Sequence, residues 1–195
     1  MILSQKQIRE EIKKKTIQFD PPIEDRQWGE ASINLRLGEK FTTFLPPKGL
    51  IFSLSDGLGS ISDTNVWKEE FRKDAAGRVD PYILNPGDFV LAVTHERIWI
   101  PRHLIGMVEG RSTYARVGLS MHQTAPWLQP GWNGQITLEI RNSGNLRIAL
   151  TPLLDLPCQV TFLKLTSTVP KKHAYGSKAG DVYQNQTSAI PKRKK

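Results

Sequence analysis

Three side chains in this sequence carry groups that chemistry can use: the Ser112 hydroxyl, the Arg116 guanidinium and the Glu139 carboxylate. The run Glu109-Gly110-Arg111-Ser112-Thr113-Tyr114-Ala115-Arg116-Val117-Gly118 reads as a strand end, a glycine turn and a short helix that stops at Gly118. Backbone N–H groups at such a helix start form a seat for an anion. Ser112 and Arg116, four apart, fall on one helical face, where a hydroxyl and a guanidinium can address one ligand. The second run is Gln135-Ile136-Thr137-Leu138-Glu139-Ile140-Arg141. Its alternation sends Ile136, Leu138 and Ile140 to the core and leaves Thr137, Glu139 and Arg141 on the other face. A mid-strand carboxylate there can serve as a base. On spacing alone, a capped helix with a surface arginine and a solvated cross-strand ion pair are the commoner explanations.

The elements that must position these residues are mostly strands. Residues 4–15 form the exception, a helix capped by Ser4 and Gln7 with Leu3 stapled onto Ile8. After Pro21-Pro22 the period becomes two. Strands are expected at 33–37, 41–44, 50–54, 89–94, 97–100, 106–109, 135–141, 146–150 and 159–165. Turns such as Asn85-Pro86-Gly87 and Ser143-Gly144-Asn145 separate them. A short helix is expected within 66–72, inside a Ser-, Gly- and Asp-rich surface insertion at 55–80. This spacing predicts a sandwich, jelly roll or distorted barrel over 1–170. Residues 171–195 read as a flexible basic tail.

At 195 residues the chain suits one well-buried domain. No apolar run is long enough to span a bilayer, and the N-terminus offers only Met1-Ile2-Leu3 before polar residues, so no secretory signal is expected. The single cysteine, Cys158, excludes an intrachain disulfide and fits a reducing cytoplasm. The net charge of +8 would fit nucleic acid, yet removing the four basic residues at 192–195 halves it to +4. No nucleic-acid-binding motif accompanies that tail, so a nucleic-acid partner is not expected.

These segments, with what joins them, resemble the dCTP deaminase branch of the trimeric dUTPase-like superfamily. The resemblance rests on Val108 to Ser112, Ala115 to Leu119, His122-Gln123-Thr124-Ala125, Pro130-Gly131-Trp132-Asn133-Gly134 and Thr137-Leu138-Glu139. Leu3-Ser4, Ser32 to Gly38, Leu84 to Asp88 and Tyr175-Gly176-Ser177 extend it over most of the chain. It implies a distorted β-barrel or jelly roll with few helices, a cytoplasmic homotrimer with active sites shared between chains, and deamination of dCTP to dUTP without a tightly bound metal. It also implies that Glu139 is the general base and acid, with Ser112 and Arg116 polarising the attacking water and the tetrahedral centre. Arg111 and Thr113 would meet the phosphates, and Ala125 would hold the water through its backbone. Gln129 would reach the sugar 3′-hydroxyl, and Trp132 would pack on the deoxyribose. Thr137 and Leu138 would read the base edge with backbone atoms, and Tyr175 and Gln186 in the tail would close over the phosphates as a lid. Magnesium would ride on the triphosphate, and dTTP is an expected inhibitor.

The zinc route of other nucleobase deaminases needs a Pro-Cys-x-x-Cys pair, whereas Pro157-Cys158 is followed here by Gln159, Val160 and Thr161. Three positions depart from the family pattern. Gln129 and Asn34 replace aspartates, and Val182 replaces a tail lysine. Glutamine removes no proton, which argues against dUTP diphosphatase activity. Gln129 and Val182 together keep a nucleotide-binding relative without turnover as an alternative. Gln123 also stands where the family often has a small apolar residue.

Overall fold

The N-terminal helix forms where its capping signal lies. In the computed structural model, which describes residues 1–56, 61, 66–73 and 76–190, α1 spans Gln5–Lys13. The Ser4 N–H donates to Gln7 Oε1 at 3.0 Å, and the Gln7 N–H returns a bond to the Ser4 hydroxyl. Ile8 is fully buried and Leu3 joins the same core.

The strands, in chain order, are β1 (Gln18–Asp20), β2 (Ile33–Leu35), β3 (Leu37–Phe44), β4 (Trp67–Phe71), β5 (Tyr82–Leu84) and β6 (Phe89–Trp99). After them come β7 (Leu104–Gly110), β8 (Leu119–Ser120), β9 (Trp127–Leu128), β10 (Asn133–Asn142), β11 (Ile148–Leu150) and β12 (Cys158–Lys164). One sheet has the order β4-β3-β6-β10-β8, with β1 also on β6; a second has the order β2-β12-β7-β9; β11 and β5 form a ribbon. All these strand pairings are antiparallel. The fold is mostly β, as expected, but its sheets are not closed into a barrel. The alternating patterns of β10 and β12 send Ile136, Leu138, Ile140, Val160 and Phe162 into one core, each contributing about 1.5–3 kcal/mol by burial.

Three expected elements differ. Residues 66–72 contain β4 rather than a helix, because Trp67 packs against Phe44 across the β3–β4 pair with ring centroids 4.7 Å apart. Residues 50–54 form no strand: a turn follows Pro47, whose carbonyl accepts the Leu50 N–H at 3.1 Å, and the chain stays largely exposed. Within the 55–80 insertion, 57–60, 62–65 and 74–75 lie outside the described residues, as do the terminal lysines and arginine of 191–195.

The two strands expected at 89–94 and 97–100 are one long strand, β6, carrying a bulge. Its register with β10 jumps between Gln135↔Arg97 and Thr137↔Val93. The Thr94 hydroxyl bridges the irregularity, donating to the Glu96 carbonyl at 2.8 Å and accepting the Ile136 N–H at 2.9 Å. Glu96 itself is fully buried. Its carboxylate accepts the Arg36 Nε–H at 2.6 Å, the Arg36 N–H at 2.9 Å and a Gln27 side-chain N–H at 2.9 Å. A charge in the core is tolerated only with such complete pairing. The bulge bends the β6–β10 platform just where Thr137 begins.

The part of the expected tail that is described, 171–190, lies against the body. The Tyr175 N–H donates to the Pro130 carbonyl, the Asn185 N–H to Asn133 and the Gln135 N–H to Gln186. Gly131, at φ 91°, allows this approach: a Cβ there would meet the Ala174 side chain at 2.9 Å.

Candidate functional site

β10 brings Thr137 and Glu139 out on the face opposite the core. They open into a cavity of about 370 Å³. Ala125, Gln129, Trp132, Tyr175 and Gln186 line it too, so seven of the twelve residues expected at the site converge within a single chain. Leu91, Trp127, Tyr183 and Ala189 complete much of the apolar wall. Those four were not legible as site residues; Trp127, roughly half exposed on a two-residue strand, is the one whose exposed aromatic ring signals a binding surface.

Glu139 has no cationic partner among the described residues, so neither a cross-strand ion pair nor one with its strand neighbour Arg141 forms. Its Oε2 accepts the Gln123 backbone N–H at 2.9 Å. The other carboxylate oxygen stays available for a proton. Among the described residues, Glu139 is also the only acidic or basic side chain lining the cavity. Trp132 is buried to 6% exposure and forms a rigid apolar floor.

The main chain of β10 determines what can be read beside Glu139. The N–H groups of Gln135 and Glu139 point away from β6, to Gln186 and Met121 respectively, whereas the Ile136 N–H points towards β6. Alternation therefore aims the Thr137 main-chain groups into the cavity and those of Leu138 at β6. Leu138, whose side chain is in the core at 1% exposure, is removed from the site on both counts.

Gln186 is also placed differently from expectation. Instead of reaching towards a phosphate, its side-chain N–H group donates to the Gln135 carbonyl at 2.7 Å and to the Thr137 hydroxyl at 3.1 Å, and the residue is buried. The Tyr175 hydroxyl accepts the Tyr183 N–H at 3.3 Å. Burial pushes both phenols above their ordinary range, so both remain protonated donors at neutral pH.

The serine–arginine pair lies elsewhere in the chain. The helix α2 (Ser112–Ala115) is one turn long, with Arg111 rather than Ser112 at its N-cap. Gly118, at φ 85°, ends the turn against Gly144, where a Cβ would meet the Gly144 nitrogen at 2.2 Å. Ser112, Thr113 and Arg116 are exposed, and among the described residues the Ser112 hydroxyl and Arg116 guanidinium have no partner. Arg111 lies over the Tyr114 ring, 5.6 Å from its centroid. None of these four lines the Glu139 cavity. The structure thus assembles the strand half of the expected site and leaves the helix half facing outward.

Among the described residues no group of three or more His, Cys, Asp or Glu side chains is placed to hold a metal ion. Cys158 is fully buried, and burial pushes its thiol far up, so it is no nucleophile. No helix is long and apolar enough to cross a membrane among the described residues.

Comparison with known proteins adds the lineage. Residues 2–165 match the family described as dCTP deaminase-like. A protein of Methanothermobacter thermautotrophicus named dCTP deaminase, dUMP-forming, is 37% identical over 92% of this chain and 86% of its own length. The dCTP deaminase of Haloarcula marismortui is 38% identical over 96% of this chain and 91% of its own. That of Pseudoalteromonas translucida is 32% identical over 99% and 97%. The crystal structure of the Agrobacterium tumefaciens 2′-deoxycytidine 5′-triphosphate deaminase matches the fold with a TM-score of 0.61 at 18% identity, over 88% of this chain and 50% of that one. With a matched span that includes β10, the cavity wall from Ala125 to Glu139 and the exposed α2 turn, this chain belongs to the dCTP deaminase-like family.

Proposed function

We propose that this protein is a dCTP deaminase that hydrolyses dCTP to dUTP and ammonia in pyrimidine deoxynucleotide metabolism. Glu139 takes a proton from water, and the resulting hydroxide adds to C4 of the cytosine ring. The proton passes through Glu139 to ring N3. A second proton, from the new C4 hydroxyl, goes to the amino group. The C4–N bond breaks, ammonia leaves, and a carbonyl remains at C4. The observation that carries this reading is the placement of Glu139 in an aromatic-walled cavity, beside the outward main-chain groups of Thr137 and with one carboxylate oxygen held by an amide.

Ser112 and Arg116 complete the site from a neighbouring copy in a homotrimer, stabilising charge as it develops at C4. Arg111 and Thr113 bind phosphate from the same turn. Among the described residues lining the cavity there is no cation, and a triphosphate needs one, which supports this reading. Magnesium arrives on the triphosphate, dTTP competes for the pocket, and the enzyme works in the cytoplasm. Purified protein incubated with dCTP and magnesium should release ammonia and dUTP in equal amounts; a folded trimer that releases neither rejects the proposal. Gln129 favours one second reading, a relative that binds nucleotide without turnover, which measurable dCTP affinity with no product would support. Dominant dUTP hydrolysis would instead identify a diphosphatase.

A further inference from the structure

The segment between β8 and β9 holds Glu139 in a way that depends on one side chain. β8 pairs with β10 at Arg141↔Ser120 and Asn142↔Leu119. The ladder continues one step further, with the Glu139 N–H donating to the Met121 carbonyl at 3.0 Å. There the main chain leaves the sheet. At the next rung it is the Gln123 side chain that supplies the donor, its Nε2 lying 3.1 Å from the Glu139 carbonyl. The same residue's backbone N–H reaches Glu139 Oε2 at 2.9 Å. One glutamine therefore grips one glutamate twice, at its main chain and at its carboxylate. His122, alternating to the other side, ties the loop to β7 through Glu109 Oε2 at 3.1 Å.

We infer that Gln123 is a positioning residue for Glu139. Any amino acid but proline at 123 retains the backbone N–H, but only a side-chain donor of glutamine's length closes the second bond, which fixes the loop so that its amide meets Oε2. With that oxygen committed, the other is directed at the reacting water. A near-attack geometry is sensitive to displacements of an ångström or less, so loosening the loop lowers turnover without removing a substrate contact.

This inference rests on the proposed deamination, and the test keeps the two separable. Gln123→Met preserves length and volume but removes the donor, while Gln123→Glu places an acceptor against an acceptor. Both variants should keep the melting temperature within a few degrees and the KM for dCTP within about two-fold, while kcat falls about ten-fold or more. Unchanged kcat in Gln123→Met, or a loss confined to KM, overturns the positioning role. Hydrogen–deuterium exchange of residues 120–125 provides an activity-free readout and should rise in both variants. If the wild type does not deaminate dCTP, the function proposed above fails, and unchanged exchange in Gln123→Met overturns the clasp independently.

Discussion

At the scale of single residues, Glu139 and Gln129 have consequences that are easily separated. Glu139→Gln keeps size and the Gln123 contact but loses the proton acceptor. Its kcat should fall about 10²–10⁴-fold while calorimetry still shows dCTP binding; near-normal turnover would remove Glu139 from the chemistry. Gln129 stands at the cavity wall with an amide that cannot take a proton from water. The wild-type product resolved by ion-exchange chromatography should therefore be dUTP, with dUMP and pyrophosphate absent, and Gln129→Asp should be the variant that gains dUMP. This matters because some relatives are named dUMP-forming and others are not.

At the scale of elements, the platform under the site depends on the β6 bulge and its buried charge. Glu96→Ala takes the acceptor from the Arg36 Nε–H and main-chain N–H and leaves the guanidinium only the half-exposed Glu24, a loss of about 1–3 kcal/mol measurable by urea denaturation. Replacing both partners by apolar residues should cost less, because no guanidinium is then left half-paired in the core. A second electrostatic contact anchors α1. Burial raises the Glu11 carboxyl, but bonds from the Thr16 hydroxyl and from His103, together with nearby Lys14, hold it below its ordinary value of 4.5. A depressed folded value means that the unfolded chain binds protons first. The stability from this contact is therefore complete above about pH 4.5 and is lost as pH falls through the folded value. Denaturation midpoints measured from pH 6 to pH 3 should drop less steeply in Glu11→Gln than in the wild type.

At the scale of the whole molecule, the proposed homotrimer has a direct test, because among the described residues the Ser112 hydroxyl and Arg116 guanidinium have no partner within the chain. Glu139→Gln and Arg116→Ala should each be inactive as pure trimers. Mixed by unfolding and refolding together, they should recover a substantial fraction of wild-type activity, because some shared sites then draw both intact residues from different chains. If each chain built its own site, every site in the mixture would carry one defect and the activity would stay at zero. Light scattering on the same samples reports whether trimers formed.

Alternation alone was enough to read β10, β12 and the exit of Thr137 and Glu139 from the core, because period two is a local property of the chain. The Ser4–Gln7 cap of α1 was legible for the same reason. Family resemblance supplied roles for Ser112, Arg116 and Glu139 that neither spacing nor composition could assign. Only the tertiary structure showed that Glu139 lines a cavity while Ser112 and Arg116 face outward. Trp67 joined a strand because Phe44 lay opposite it, and Gln186 became a clamp on β10 because Gly134 left room for its backbone. The Leu138 main chain faces β6 because a strand's main-chain groups point to alternate sides. Such outcomes depend on contacts between residues 23 to 52 positions apart, whose register no local pattern encodes.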